Sequence, residues 1–148
     1  MSPRRISSSA YPEAAFIDTS GFYALLDGGD ARHSSAISIF ADLSIAGTRL
    51  VFTNFVRAEA HALTLNRLGH AAANRLLSRL RTTSVTTLVR VTEADEDAAL
   101  NLIARYRDKD FSLTDATSFV VMERLGIDHA LSFDDDFRQY GWILLTTR

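Results

Sequence analysis

Residues 14–18 read Ala-Ala-Phe-Ile-Asp, a run of four apolar residues that ends on an acid. A short apolar run of this kind is typical of a buried strand. Residues 50–53 (Leu-Val-Phe-Thr) and 129–133 (His-Ala-Leu-Ser-Phe) are similar, and a polar residue, Asn54 or Asp134, follows each of them. Residues 86–91 and 142–145 predict two further strands.

Helical patterns separate these strands. Asn54 is predicted to cap a long helix, and two Ser/Thr-x-x-Asp capping boxes, at residues 92–95 and 112–115, predict the starts of two others. Strands that alternate with helices predict an α/β fold, a three-layer α/β/α sandwich with a short, mostly parallel sheet. We expect a mobile lead-in over residues 1–12 and a single domain over residues 13–148. The site should lie beyond the carboxyl ends of the strands.

Composition excludes several classes of protein. The chain has 148 residues and no cysteine, which excludes disulfides, thiol catalysis and cysteine-ligated metals. The net charge of −2 gives no bulk argument for nucleic-acid binding. No apolar run is long enough to span a membrane, and no apolar segment follows the basic residues near the start. We therefore expect a cytoplasmic protein that does not enter the membrane.

Several well-known motifs are missing, and their absence excludes further classes of protein. The chain has no GxxxxGK[ST] phosphate loop, no GxGxxG dinucleotide motif and no GxSxG nucleophile elbow. The only lysine, Lys109, precedes a helix, which argues against a phospho-relay receiver. The string Asp18-Thr-Ser20 lacks the second acid of a haloacid-type phosphatase.

Four acids either follow an apolar strand directly or lie on an apolar helix stripe: Asp18, Glu59, Asp115 and Asp134. Most of them have a structural explanation as well. Asp115 is the fourth residue of its capping box, as Asp95 is of the other; Asp18 could be a helix N-cap, and Asp134 could begin a helix. Glu59 has no capping explanation.

If the four acids converge, their mutual repulsion requires a cation. Two carboxylates about 5 Å apart repel by about 3 kcal/mol at an effective dielectric near 20. Oxygen ligands alone favour Mg²⁺ or Mn²⁺ over zinc, and such an ion can activate water for in-line phosphoryl displacement.

Four segments resemble the PIN-domain family, and most of all its VapC-type ribonuclease toxins. They are residues 16–20 (Phe-Ile-Asp-Thr-Ser), 53–59 (Thr-Asn-Phe-Val-Arg-Ala-Glu), 111–122 (Phe-Ser-Leu-Thr-Asp-Ala-Thr-Ser-Phe-Val-Val-Met) and 130–137 (Ala-Leu-Ser-Phe-Asp-Asp-Asp-Phe). The likeness runs from residue 16 to residue 145.

The resemblance implies a metal-dependent ribonuclease with an α/β/α sandwich. It assigns the four acids as catalytic, with Asp18, Asp115 and Asp134 holding Mg²⁺, or Mn²⁺ as a substitute, and Glu59 either holding the ion or orienting the attacking water. Supporting positions are Ser20, Asn54, Ser132 and Asp136, the last as an outer acid.

The resemblance also implies partners: an RNA substrate, a cognate antitoxin and a second copy of the chain. The helices over residues 33–46 and 54–80 carry more apolar residues than one sheet face can cover, which also favours a homodimer. Near the site, a basic rim could bind RNA phosphates, although a solvated helix face explains it too. Its members are Arg67, Arg75, Arg79 and Arg81.

Two alternatives remain open. The chain could be a non-catalytic PIN-like module that binds RNA or protein, or a metal-dependent phosphoesterase that acts on another substrate.

Overall fold

The computed structural model describes residues 11–147 of the chain. Its strands are β1 (Ala14–Ile17), β2 (Arg49–Thr53), β3 (Thr86–Val89), β4 (His129–Leu131) and β5 (Ile143–Leu144). Its helices are α1 (Thr19–Leu26), α2 (His33–Ala46), α3 (Asn54–Leu68), α4 (His70–Thr82), α5 (Glu93–Arg105), α6 (Leu113–Leu125) and α7 (Asp135–Tyr140). In the predicted lead-in, residues 1–10 lie outside the described part, while the Tyr11 hydroxyl donates to Asp42 at 2.8 Å.

All five strands are parallel, in the order β3-β2-β1-β4-β5. The predicted α/β/α sandwich is confirmed. Strand β1 pairs with β2 on one side and β4 on the other, and Ala15, Phe16 and Ile17 are fully buried. Because the order of connection reverses at β1, the crevice beyond its carboxyl end is the expected place for a ligand.

A single glycine, Gly21, allows α1 and β4 to approach each other closely at this crevice. A Cβ atom on Gly21 would lie 2.3 Å from the Leu131 carbonyl oxygen, so only glycine lets the first turn of α1 approach β4 this closely. The end of β1 and the end of β4 therefore become direct neighbours.

The predicted cap of α3 is wrong by one residue. Thr53 is the N-cap, and its hydroxyl accepts a hydrogen bond from the Val56 amide at 3.1 Å. Asn54 is the first helical residue, and its side-chain oxygen accepts from the Val91 amide at 2.8 Å, which ties α3 to the segment after β3. A longer-range partner thus occupies the side chain that a local cap would have used.

Asp95 has a role that its capping box did not predict. The box is present, but Arg124 of α6 also donates to both carboxylate oxygens, Nε at 3.0 Å and Nη2 at 2.8 Å. This ion pair joins α5 to α6. No helix in the described part of the chain is long and apolar enough to cross a membrane.

Candidate active site

A cavity of about 260 Å³ opens beyond the carboxyl ends of β1 and β4. The first turns of α1, α6 and α7 surround it, with α3 on one side. All four predicted acids line this cavity: Asp18, Glu59, Asp115 and Asp134.

Asp18 lies at the bottom of the cavity, 5% exposed. It is the N-cap of α1 and accepts from the Gly21 amide at 2.9 Å, the Ser20 hydroxyl at 2.8 Å and the Ser132 hydroxyl at 2.7 Å. The capping role and the site role therefore coexist. Burial raises the pKa of Asp18 to about 6 despite these hydrogen bonds, with a further contribution from the charge of Asp134.

Two serines connect Asp18 to the loop after β4. The Ser20 hydroxyl accepts from the Phe133 amide at 2.8 Å, and the Ser132 hydroxyl accepts from the Asp134 amide at 3.0 Å. Both serines therefore hold Asp18 and the backbone of residues 133–134 at the same time. This geometry is compatible with the supporting role that the sequence predicts for them.

Asp115 combines its capping box with the site. The Ser112 amide donates to its carboxylate at 3.1 Å, and its own amide donates to the Ser112 hydroxyl at 3.0 Å. Burial raises the pKa of Asp115 to about 7, and the charges of Asp134 and Asp136 add to the rise. No described basic side chain forms an ion pair with it.

The tightest cluster is formed by Asp115, Asp134 and Asp136, which each offer a carboxylate oxygen within 4.8 Å of the others. Asp134 is the N-cap of α7 and accepts from the Asp136 amide at 2.9 Å. Burial and the charge of Asp134 also raise the pKa of Asp136. Asp136, expected only as an outer acid, thus belongs to the same cluster as Asp115 and Asp134.

Glu59 lies at the edge of its predicted setting. Its place on the apolar stripe of α3 predicts a side chain that points inward or into the crevice, and Glu59 does line the cavity. It does so at the mouth, where it is exposed and outside the tight cluster. Its neighbour Ala60, one position further round the helix, occupies the buried position instead.

The predicted basic rim is divided by the structure. Arg67 lines the cavity, whereas Arg75, Arg79 and Arg81 are exposed on α4 and do not line it. Arg32, which the sequence did not single out, does line it. Its signal in the sequence is weak, because an arginine in the polar stretch between α1 and α2 resembles any loop residue.

The donor set fits a hard divalent cation. Asp115, Asp134 and Asp136 supply oxygen ligands only, and their crowded charges lack a counter-ion among the described residues. Mg²⁺ and Mn²⁺ prefer such ligands.

A parallel α/β sandwich with carboxylates gathered beyond its central strands defines a class of domain suited to divalent-cation chemistry on phosphates. The family model for the PIN domain matches residues 15–143, and the chain belongs to that family. The resemblance noted from the sequence is confirmed.

Two curated relatives carry related names. The chain is 35% identical over 128 residues to the 23S rRNA-specific endonuclease VapC20 of Mycobacterium tuberculosis, and the match covers 86% of this chain and 95% of the relative. It is 32% identical over 127 residues to a VapC ribonuclease of Archaeoglobus fulgidus, covering 84% and 79%.

Two solved structures resemble this chain. The crystal structure of Mycobacterium tuberculosis VapC20, described as a sarcin-ricin loop cleaving toxin, superposes with a TM-score of 0.80 at 33% identity, covering 89% of this chain and 98% of that one. FitAcB from Neisseria gonorrhoeae, at 13% identity and a TM-score of 0.64, shares the fold, covering 88% and 96%.

Proposed function

We propose that this protein is a Mg²⁺-dependent ribonuclease, with Mn²⁺ as a substitute, and the toxin of a type II toxin–antitoxin pair. The observation that carries the proposal is the convergence of Asp115, Asp134 and Asp136, next to a buried Asp18, without a basic partner among the described residues. The names of the VapC relatives supply the substrate class.

In this proposal Asp18, Asp115 and Asp134 would hold the cation, and Asp136 would add a fourth carboxylate. When bound, the ion would lower the pKa of a water molecule and stabilise the charge that develops on the phosphate. Ser20 and Ser132 keep Asp18 in place and favour its ionised form by donating to it. Glu59, exposed at the mouth, orients the attacking water. In-line displacement leaves a 5′-phosphate and a 3′-hydroxyl.

The relatives suggest which RNA to try first. Because the chain aligns with 95% of a 23S rRNA-specific endonuclease whose structure is described as a sarcin-ricin loop cleaving toxin, that loop is the leading candidate substrate. Such a substrate requires a cytoplasmic location. A purified ribosome, a synthetic loop hairpin, single-stranded DNA and a phosphomonoester, each with and without Mn²⁺, distinguish the candidate activities.

Cleavage of RNA alone, abolished by EDTA, supports the proposal. Cleavage of DNA or of the monoester identifies a phosphoesterase of another kind, and binding without cleavage identifies a non-catalytic module.

A homodimer and a cognate antitoxin belong to the same proposal. Large apolar side chains stay exposed on the helices that predicted self-association: Ile37 at 45%, Ile45 at 87%, Leu65 at 43% and Leu68 at 38%. Light scattering at micromolar concentration tests the dimer, and a strictly monomeric species would contradict it. Co-purification with the product of a neighbouring short gene tests the antitoxin.

A further inference from the structure

Arg32 and Arg67 line the acidic cavity, yet neither forms an ion pair with an acid within residues 11–147. The same cavity is lined by five acids, so a nearby carboxylate would be the ordinary partner for a guanidinium. Both side chains are exposed. Their positive charges are therefore able to meet an anion that enters the cavity.

Each guanidinium lies over an aromatic ring. Arg32 is 5.6 Å from the centroid of the Phe133 ring, and Arg67 is 5.0 Å from that of Tyr23. Arg67 also interacts with the Tyr23 hydroxyl and with the charge of Asp27. A guanidinium has five N–H donors, so one that lies above a ring can still donate to a phosphate with those left over.

Both aromatic residues lie beside the acids, Tyr23 as part of the cavity lining and Phe133 next to Asp134 in the chain. The Tyr23 hydroxyl donates to Asp27 at 2.6 Å, and Tyr23 is 7% exposed. Phe133 directly precedes Asp134, and its amide donates to the Ser20 hydroxyl, which in turn donates to Asp18. The two cations are therefore positioned relative to the acids rather than left to move freely on the surface.

We propose that Arg32 and Arg67 bind the two phosphates that flank the cleaved phosphate of the RNA strand, an inference that rests on the proposed ribonuclease function. They reach the cavity from different elements, the N-cap of α2 and the last turn of α3, and the proposal assigns each of them to a different phosphate. The protein then prefers a bond inside a strand over a terminal one, since a terminal bond lacks one flanking phosphate.

Salt dependence of RNA binding tests these phosphate contacts without cleavage. Arg32→Gln, Arg67→Gln and the control Arg49→Gln, an exposed arginine at the opposite end of the sheet, are each combined with Asp115→Asn, and binding of a short oligouridylate is measured against NaCl concentration. Removal of one phosphate-binding charge lowers the log–log slope by about 0.7 for a single strand. We expect that decrease for Arg32→Gln and Arg67→Gln, and an unchanged slope for Arg49→Gln. Unchanged slopes for the two cavity arginines, or equal decreases for all three, would overturn the inference.

Cleavage kinetics assign each arginine to a phosphate. On a cleavable RNA, each cavity substitution should lower kcat/KM about tenfold. A methylphosphonate, which carries no charge, then replaces the phosphate on one side of the cut or the other. The penalty of each substitution should vanish on one of these two RNAs, a different one for each arginine. Penalties that persist on both RNAs would contradict the flanking assignment.

These results separate the two proposals. If wild-type protein cleaves no RNA, the proposed function fails, and the salt slopes still decide whether the arginines bind phosphate. If it cleaves and the arginine substitutions have no effect, only the inference fails.

Discussion

Two capping boxes in this protein have nearly the same local geometry and opposite electrostatic surroundings. In the Thr92–Asp95 box the two reciprocal hydrogen bonds measure 3.0 and 3.1 Å, and in the Ser112–Asp115 box 3.1 and 3.0 Å. Burial acts to raise the pKa of Asp95, but the hydrogen bonds from Arg124 and Thr92 outweigh it and the pKa is lowered. The pKa of Asp115 is instead raised to about 7.

The difference lies in what the rest of the fold brings to the carboxylate. Asp95 faces a guanidinium from α6, whereas Asp115 faces Asp134 and Asp136 from the segment after β4. A capping box stabilises a helix start in either setting. Only tertiary structure decides whether its acid becomes half of an ion pair or part of a cation site.

The largest expected difference between the two capping boxes is the effect of their substitution on RNA cleavage. Asp115→Asn keeps the shape of the box and removes one proposed ligand charge, so we expect a loss of RNA cleavage on the order of a thousandfold. Asp18→Asn should behave alike, and both should still bind RNA, because phosphate contacts lie elsewhere. Asp95→Asn should cleave close to the wild-type rate. Gel assays with Mn²⁺ measure this, and robust cleavage by Asp115→Asn would exclude the assignment.

The next largest difference between the two capping boxes is expected in the stabilisation that a bound cation gives. A ligand that binds only the folded state stabilises it by about 2.7 kcal/mol at a hundred times its Kd. Excess Mg²⁺ should give wild type and Asp95→Asn equal increases in Tm over EDTA, and Asp115→Asn a clearly smaller one. Equal increases for all three proteins would mean that Asp115 takes no part in binding the ion.

In EDTA, Asp95→Asn should lower the free energy of unfolding, whereas Asp115→Asn should leave it unchanged or raise it. Asparagine at position 95 keeps one oxygen for the Thr92 amide but cannot accept both hydrogen bonds from Arg124, whose side chain is 42% exposed. We expect Asp95→Asn to cost about 1–2 kcal/mol, below the roughly 3–5 kcal/mol of a fully buried pair. Urea unfolding measures it. Asp115→Asn is the matched control and should be as stable as wild type or more so, because it relieves repulsion.

The sequence was sufficient to predict the order of strands and helices along the chain, but not the partners of their side chains. Apolar runs and capping signals predicted the secondary structure because both depend on local periodicity. The Asp95–Arg124 pair joins residues 29 positions apart, and no local pattern contains it.

Within the site, the same dependence on local pattern explains which residues were predicted and which were missed. Asp18 and Asp134 were predicted because parallel strands end at a common edge. The exposure of Glu59 and the inclusion of Asp136 depend on how α3 and α7 are rotated about their axes, which a few residues of pattern do not determine. Arg32 follows a loop whose course depends on tertiary packing rather than on periodicity.

The smallest expected difference is in the pH dependence of stability without metal. An acid whose folded pKa is raised holds a proton that the unfolded chain has already lost, so the unfolding free energy falls as pH rises from its ordinary pKa of 3.8 to the folded value of about 7 for Asp115. Asp115→Asn removes this loss. Its stability relative to wild type in EDTA should therefore rise between about pH 4 and about pH 8.

The contribution of Asp95 to stability changes with pH in the opposite direction. Its lowered pKa contributes stability above its ordinary value, which is lost as pH falls through the folded value, so the deficit of Asp95→Asn should shrink only in acid. Urea unfolding across this pH range measures both variants. Excess Mg²⁺ should reverse the trend of wild type, because the ion binds only deprotonated carboxylates and does so better as pH rises. If Asp115→Asn follows wild type at every pH in EDTA, Asp115 ionises normally and the three carboxylates do not lie together in solution.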